Sequence, residues 1–406
     1  MQNPTKYYGK ELEYLVKVLN SEAWTATEGS WNNVLETEFA KKFGAKYAVA
    51  FNSGTSTLHA ALEAVGVRAG DEVISPALSV IMNTTSTIHA NAVPVYADVD
   101  RETFNIDPED VRRKITPKTK AIQTVSLYGL SPDMDPIMEI AKEHGIAVIE
   151  DNAQCFLGSY KGRPVGKLGD IASYSFENSK HMSCGEGGII ITDNEEYAMM
   201  CRKIGGHGFQ NLRAEEGRVK LNKDFFQNPH YKRVDELGWN YRLSEFSAAI
   251  SLAQLETLEQ KVEYRVKTSE MFLDAIRSTG CDYLIPQKVP QGYVHTYWSV
   301  GLVYEGAQSI GVSWKDFRKE YVRQGGDGIY GACSVAYLEP LVSERKFVRR
   351  LPQIYENVRY EKGLCPVSEE LQLKLMQFKN NYRSLELAEK KAEALEKTIL
   401  HFKGVK

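Results

Sequence analysis

A single lysine stands between a serine and a group of glycines in the stretch SFENSKHMSCGEGG, residues 175–188. The amine of an ordinary lysine is a poor base at neutral pH, because its pKa is about 10.4. Burial and nearby positive charge lower that pKa, and the neutral amine can then act as a nucleophile or a general base. Most lysines in loops are solvated cations, so Lys180 becomes a catalytic candidate only through the residues that accompany it.

A phosphate site is predicted where the apolar run AVAF is followed by Asn52, Ser53, Gly54 and Thr55 and then by a helix-like segment. Free backbone N–H groups at a helix N-terminus, together with nearby hydroxyl groups, bind anions. Ser-Gly-Thr is also a common helix cap, so this stretch alone leaves both interpretations open.

Two further stretches place polar side chains at the ends of predicted elements. In IAVIEDNAQ a buried strand ends at Asp151, and Gln154 follows. Ligands of open α/β sheets bind outside the carboxyl ends of the strands, which directs Asp151 toward such a site. In GWNYRLSE, Asn240 and Arg242 stand at the start of a predicted helix. Each of these residues could equally be a capping or turn residue.

The elements that would position these residues alternate between about residue 47 and residue 200. Short β-rich runs alternate with helix-like segments, and the runs are YAVAF, DEVISPAL, AVPVYADV, AIQTVSLYG, IAVIED, IASYSF and GGIIIT. Near-continuous apolar strands are typical of a mostly parallel sheet covered by helices on both faces. The pattern predicts a three-layer α/β fold.

The length of 406 residues exceeds what one core usually supports, so a large domain and a smaller one are expected. Helically spaced apolar residues predict one long helix from Arg242 to about Arg265, which would carry the chain out of the first domain. We expect a large domain over residues 1–255 and a small α+β domain over residues 256–406. The small domain would contain a strand at TYWSVGLVY and a final amphipathic helix.

Composition argues against several kinds of partner. The formal net charge of −3 gives no basic footprint for nucleic acid. No stretch approaches the run of about 20 apolar residues that spans a membrane, and the N-terminus lacks the apolar run of a signal peptide. We therefore expect a cytoplasmic protein without a membrane partner. The six cysteines include no C-x-x-C pair, so neither a disulfide framework nor a metal site is suggested.

The order of these signals along the chain resembles the DegT/DnrJ/EryC1 family of sugar aminotransferases, which have the aspartate-aminotransferase fold, fold type I. The matching stretches are NSGTSTLHAAL, IEDNAQ, SFENSK with GEGG, and GWNYRL, and the resemblance covers about residues 15–265 well. It implies pyridoxal 5′-phosphate (PLP), or its amine form PMP, as the cofactor. It also implies transfer of an amino group from glutamate or glutamine to a keto- or aldehyde-sugar, in amino-sugar, lipopolysaccharide or other surface polysaccharide biosynthesis.

The resemblance assigns catalytic roles to two residues. Lys180 would form a Schiff base with the cofactor and then move the proton during transamination. Asp151 would hold the proton of the cofactor's ring nitrogen, because an opposite charge at contact distance favours the cationic ring. A dehydratase branch of the family has histidine in place of this lysine, so Lys180 favours transamination.

The same resemblance assigns the cofactor contacts. Ser53, Gly54, Thr55 and Ser175 would bind the phosphate. Asn240 would reach that phosphate from the other subunit of a homodimer with shared active sites. The ring would be contacted by Gln154 and by Val80, which stands where many relatives carry an aromatic residue.

Residues near the substrate are expected to be Tyr128, Arg242 and His295, with His181 either structural or at the substrate's edge. The acceptor could be a nucleotide-linked sugar or a free sugar acid, such as an oxidised eight-carbon 3-deoxy-octulosonate. The irregular, charged segment 209–237 is predicted to help bind it. Two other functions stay open, namely another PLP reaction, lyase or desulfurase, and a non-catalytic PLP-binding regulator.

Overall fold

The computed structural model describes residues 6–403, apart from residues 22, 26–28, 218–223, 225–226 and 332. Part of the segment 209–237 therefore lies outside the described residues. None of the helices in these described ranges is long and apolar enough to cross a membrane.

The strands, in chain order, are β1 (Tyr47–Phe51), β2 (Glu72–Pro76), β3 (Leu78–Ser79), β4 (Val93–Ala97), β5 (Thr119–Val125), β6 (Ala147–Asp151), β7 (Ser159–Tyr160), β8 (Arg163–Pro164), β9 (Ile171–Ser175), β10 (Gly188–Thr192), β11 (Leu284–Pro286), β12 (Tyr293–Val294), β13 (Val300–Tyr304), β14 (Tyr330–Gly331), β15 (Ser334–Val335) and β16 (Leu375–Phe378).

The α-helices are α1 (Glu11–Leu19), α2 (Trp31–Phe43), α3 (Gly54–Ala64), α4 (Met82–His89), α5 (Pro108–Lys114), α6 (Met134–His144), α7 (Glu195–Gly205), α8 (Glu245–Glu256), α9 (Leu258–Ser278), α10 (Gly306–Ser309), α11 (Trp314–Arg323), α12 (Pro340–Ser343), α13 (Pro352–Tyr355), α14 (Pro366–Gln372) and α15 (Leu385–Lys403). Short 3₁₀ helices are Leu127–Gly129, Ala336–Leu338 and Lys346–Arg350.

The largest sheet has seven strands in the order β1-β10-β9-β6-β5-β2-β4. Strand β10 is antiparallel to both of its neighbours, and the remaining pairs are parallel. The predicted mostly parallel α/β sheet is therefore confirmed. Its strands are largely buried because both faces are covered, and all five residues of β9 and all five of β10 are buried.

Successive residues of β10 show the three layers. Ile189 and Ile191 pack in one core with residues of α2 and α8, such as Phe39 and Leu252. Ile190, between them, points to the other face and packs in a core with residues of α3 and α7. This alternation follows from the two-residue period of a strand.

A second, antiparallel sheet has the order β11-β13-β16-β14 and lies in the C-terminal part of the chain. Helices α9, α11 and α15 pack on it through side chains such as Phe272, Phe317 and Leu395. Strand β13 lies in the stretch TYWSVGLVY, and α15 is the amphipathic helix expected at the end. The boundary between residues 255 and 256 stays a prediction.

The long helix predicted from Arg242 to Arg265 is two helices. Thr257 separates α8 from α9, and its backbone angles of φ −117° and ψ 15° are not helical. The apolar spacing continues across the break because both helices bury one face, which is why periodicity alone did not show it.

A two-residue ladder ties the C-terminal part to the rim of the large sheet. Ser334 pairs with Ser79 and Val335 with Leu78, joining β15 to β3. Val80, one of the predicted cofactor contacts, follows β3 directly.

Candidate active site

A cavity of about 320 Å³ lies at the carboxyl ends of β5 and β6. This is the edge at which open α/β sheets bind ligands. Its wall brings together eight of the nine residues predicted to bind the cofactor: Ser53, Gly54, Thr55, Val80, Asp151, Gln154, Ser175 and Lys180. Residues more than 120 positions apart in the chain thus share one cavity.

One end of the cavity is an anion-binding cradle, formed by Ser53, Gly54 and Thr55 at the N-terminus of α3. Ser53 caps this helix, since its Oγ accepts a hydrogen bond of 3.1 Å from the backbone N–H of Ser56. The first two helical amides, those of Gly54 and Thr55, have no acceptor within the helix and are available for an anion. A Cβ on Gly54 would lie 2.7 Å from the Cβ of Ser175, so only glycine lets the cradle close.

A buried carboxylate stands at the end of β6. The Oδ2 of Asp151 accepts a hydrogen bond of 3.0 Å from Nδ2 of Asn83, and its Oδ1 accepts one of 3.1 Å from the backbone N–H of Ala153. Burial raises the pKa of Asp151, while these two bonds and the charge of Lys180 act to lower it. A carboxylate in this setting is stabilised by a cationic partner.

Lys180 supplies the amine. Burial lowers the pKa of Lys180 below its ordinary value, Arg265 lowers it further, and the carboxylates of Asp151 and Glu177 act in the opposite direction. Its Nζ lies 4.7 Å from the centroid of the Trp298 ring. The neutral amine is therefore present at a lower pH than in a solvated lysine.

Arg265 of α9 holds the backbone at the lysine. Its Nη2 donates hydrogen bonds of 2.6 Å to the carbonyl oxygen of Ser179 and 2.9 Å to that of Lys180. Its Nη1 donates one of 2.7 Å to the carbonyl of Trp298, whose Nε1 donates one of 3.0 Å to Ser179. Burial lowers the pKa of Arg265 to about 10, so it remains charged at neutral pH.

Gln154 and Tyr128 are joined by a hydrogen bond, but only Gln154 lines the cavity. The Oε1 of Gln154 accepts a hydrogen bond of 2.7 Å from the backbone N–H of Tyr128, which leaves the amide NH₂ free to donate. Tyr128 is fully buried, stacks on Trp298 at 6.5 Å, and is not part of the cavity wall. Tyr128, which was predicted to contact the substrate, therefore does not line the cavity that contains the predicted cofactor residues.

His295 also does not line this cavity. Both of its ring nitrogens are hydrogen-bonded within the protein. Nε2 is bonded to Oε1 of Gln287 at 2.9 Å, and Nδ1 accepts a 2.9 Å bond from the backbone N–H of Tyr297. Burial lowers the pKa of His295 to about 3, so the ring is neutral. These contacts indicate a structural role for His295.

Asn240 and Arg242 are outside the cavity too. Asn240 is exposed and lies at an isolated bridge with Gly206. Arg242 lines a different cavity, beside Arg202 and Phe209.

His181 turns away from the cofactor cavity and lines a neighbouring one. Its Nε2 is bonded to the carbonyl oxygen of Thr296 at 2.9 Å, which makes Nδ1 the unprotonated nitrogen. Burial lowers the pKa of His181 well below its ordinary value.

The cavity fits PLP by its own chemistry. An anion cradle that a Cβ would fill, a buried carboxylate in need of a cation, and a lysine of lowered pKa meet the demands of a phosphate, a pyridinium nitrogen and an aldehyde. The volume falls at the lower end of the range for small-molecule sites, about 300–1,000 Å³.

Sequence reasoning missed two supporting residues, namely Asn83 and Arg265. Asn83 carried a usable signal, since it is a polar residue shortly after the predicted strand DEVISPAL. Arg265 carried none, because its partners are backbone carbonyls that only the fold brings near.

Residues 6–313 match the DegT/DnrJ/EryC1/StrS aminotransferase family. The chain belongs to this family. GDP-perosamine synthase of Escherichia coli O157:H7 is a relative with 34% identity over 300 residues, which are 74% of this chain and 76% of that protein. Membership in the DegT/DnrJ/EryC1/StrS family confirms the predicted enzyme class and its cofactor, PLP.

Solved structures agree with the family's fold. The aminotransferase from Psychrobacter cryohalolentis superposes with a TM-score of 0.86 at 28% identity, covering 99% of both chains. A GDP-4-keto-6-deoxymannose-3-dehydratase with a trapped PLP-glutamate geminal diamine has a TM-score of 0.79 at 25% identity, covering 97% of this chain and 99% of that one. Fold type I is therefore confirmed.

Proposed function

We propose that this chain is a homodimeric PLP-dependent aminotransferase that moves an amino group from glutamate to a keto- or aldehyde-sugar, with Lys180 and Asp151 as its catalytic residues. The observation that carries the proposal is one cavity that holds the lysine, the buried carboxylate and the glycine cradle together.

Bound PLP supplies an electron sink that stabilises negative charge at the α-carbon of an attached amino acid. The Nζ of Lys180 would take the proton from that carbon and deliver it to the C4′ carbon of the cofactor, and its lowered pKa leaves it neutral more often than an ordinary lysine. The Asp151 carboxylate, oriented by Asn83, keeps a proton on the ring nitrogen. The amides of Gly54 and Thr55 and the Ser175 hydroxyl fix the phosphate.

The relatives support the substrates. The dehydratase with TM-score 0.79 was trapped with glutamate, which supports glutamate as the donor here. GDP-perosamine is an amino sugar linked to a nucleotide, so the synthase relative supports a sugar acceptor. Asn240 is exposed and does not line the cofactor cavity of its own chain. This is expected of a residue that binds the cofactor phosphate in the other subunit of a dimer.

The site disfavours desulfurase chemistry. Cys333 lies near enough to Lys180 for their charges to interact, yet burial raises the pKa of this thiol to about 11. The thiol is therefore protonated at neutral pH, whereas a nucleophilic cysteine needs a thiolate.

The proposal is tested with Lys180→Ala and the matched variant Lys267→Ala, whose lysine is exposed on α9. Borohydride reduction of the PLP-loaded enzyme should add the cofactor mass to a peptide containing Lys180, and the adduct should be absent from Lys180→Ala alone. Glutamate should convert the wild-type chromophore to the amine form, and a keto-sugar should restore it. Turnover in Lys180→Ala would refute the mechanism, and a wild-type protein that stops after glutamate would point to a regulator.

A further inference from the structure

Lys180 stands in the wall between two cavities. The second has a volume of about 600 Å³ and lies between the N-terminal residues that precede α1, helix α9, and the segment between β16 and α15. Its wall carries five further cations: Lys6, Lys261, Arg265, Lys379 and Arg383. Among the described residues that line it, none is acidic.

These cations are not neutralised by ion pairs with any residue that the structure describes. Lys6 Nζ donates to the amide oxygen of Asn178 at 2.7 Å, and Lys261 Nζ donates to the backbone carbonyl of Lys6 at 2.9 Å. Both acceptors are neutral. Two carboxylates lie further off, Glu11 near Lys261 and Glu177 near Lys6 and Arg265, and each already accepts hydrogen bonds from other groups.

The buried lysines bear an electrostatic penalty. Lys261 is only 8% exposed. Burial and the nearby charge of Arg265 together lower the pKa of Lys6 and of Lys261 to about 8. Like charges held together away from water oppose folding unless an anion joins them.

Two buried polar atoms on the wall also lack partners. The Nδ1 of His181 and the hydroxyl of Tyr264 make no hydrogen bond within the described part of the chain. His181 is 4% exposed, and its Nδ1 is an acceptor because Nε2 is bonded to a carbonyl. The cavity therefore offers positive charge, an acceptor and a hydroxyl, which suits an anionic and hydroxylated ligand.

We propose that this basic cavity is the subsite for an anionic group of the sugar acceptor, a carboxylate or a phosphate, and that it directs the acceptor carbonyl past Lys180 toward the cofactor cavity. The inference rests on the proposed function and narrows its substrate to acidic sugars or sugar phosphates. Because Lys180 borders both cavities, an acceptor anchored here can extend past Lys180 to the cavity that would hold the cofactor. The size suits a sugar, since sites for drug-sized ligands measure about 300–1,000 Å³.

Binding is measured first without turnover. The PLP-loaded enzyme is used so that the cofactor's own phosphate fills the cradle at Gly54. Calorimetric titration with inorganic phosphate should show one site, and K6M/K261M should bind at least tenfold more weakly. The control K267M should bind like the wild type. Acetylation mapped by mass spectrometry should show phosphate protecting Lys6 and Lys261 but not Lys267.

Steady-state kinetics then show whether the anionic group of the acceptor is a carboxylate or a phosphate. With a keto-sugar acid, a keto-sugar phosphate and a neutral keto-sugar as acceptors, K6M/K261M should raise KM at least tenfold for the preferred anionic sugar and leave the neutral sugar unchanged. The better wild-type acceptor identifies carboxylate or phosphate. A variant that loses the glutamate half-reaction instead would assign the cavity to the donor and overturn the proposal.

Two controls test whether a variant is still folded. The first is its melting temperature, and the second is R383Q, which removes the charge of an exposed residue on the cavity wall. R383Q should raise the same KM without changing the fold. Absence of phosphate binding to the wild type would also overturn the inference. A wild-type enzyme that binds phosphate but never reacts with glutamate would count against the proposed function alone.

Discussion

The guanidinium of Arg265 donates a hydrogen bond of 2.9 Å to the carbonyl oxygen of Lys180. A residue of α9 thus fixes the backbone from which the reactive amine extends, while the amine itself stays unbonded to it. Arg265 is a positioning residue, and its forked geometry matters because it also binds Ser179 and Trp298.

Arg265→Lys should therefore lower kcat about tenfold while glutamate KM changes little. Lysine keeps the charge but cannot reach three carbonyls, and one hydrogen bond to a charged group contributes about 1.5–3 kcal/mol. Steady-state kinetics measure the split between kcat and KM. The borohydride adduct on Lys180 should persist, and its loss would show that Arg265 is needed for the amine's reactivity itself.

Asp151→Asn and Asn83→Ala should differ in severity. The first removes the carboxylate that holds the ring proton and should lower kcat/KM by at least about 100-fold, as for other electrostatic partners of a reacting group. The second removes only one hydrogen bond to that carboxylate, for a loss of about tenfold. Kinetics of both half-reactions measure this order. Equal losses would mean that Asn83 acts on the cofactor directly.

Gly54→Ala should weaken cofactor retention. The added Cβ would sit 2.7 Å from the Cβ of Ser175, so the cradle must widen. Gly331→Ala is the control, since a Cβ there meets nothing within 4 Å. Dialysis followed by cofactor absorbance should show PLP leaving Gly54→Ala faster. Normal retention would indicate that the phosphate is bound elsewhere.

The reactivity of Lys180 should persist at lower pH than that of an exposed lysine. Acylating reagents attack the neutral amine, so the rate falls as pH drops through the pKa. Because burial lowers the pKa of Lys180, its midpoint in the cofactor-free protein should lie below the value of about 10.4 for a solvated lysine. Mass spectrometry of the Lys180 peptide across pH 6–11 follows the acylation rate. A midpoint at the value of a solvated lysine would show that the amine is not buried.

The large sheet and the meeting of the candidate residues in one cavity could be predicted because their signals are local. Short β-rich runs such as YAVAF mark the strands, Gly54 and Asp151 stand at the ends of predicted elements, and Lys180 follows the predicted strand IASYSF. Strand-end positions converge on one edge of a parallel sheet, so the sequence order was sufficient to place these residues together.

The substrate side could not be predicted in the same way. His295 looked suited to a sugar, yet its bonds to Gln287 and Tyr297 depend on a local backbone path that no spacing reveals. The basic cavity joins Lys6, Lys261 and Arg383, and each is more than 100 residues from the next along the chain. Only the packing of both chain ends against α9 brings them together.

The ladder between β15 and β3 has a consequence for engineering. Exchange of the C-terminal segment with that of a relative, a common route to chimeric enzymes, would replace one side of this ladder and keep the other. Backbone bonds tolerate such a swap, but the buried contact of Val335 and Leu78 must be matched in shape. A transplant that carries residues 78–80 together with the C-terminal segment should therefore retain the rim beside the cofactor better than a single crossover near residue 256.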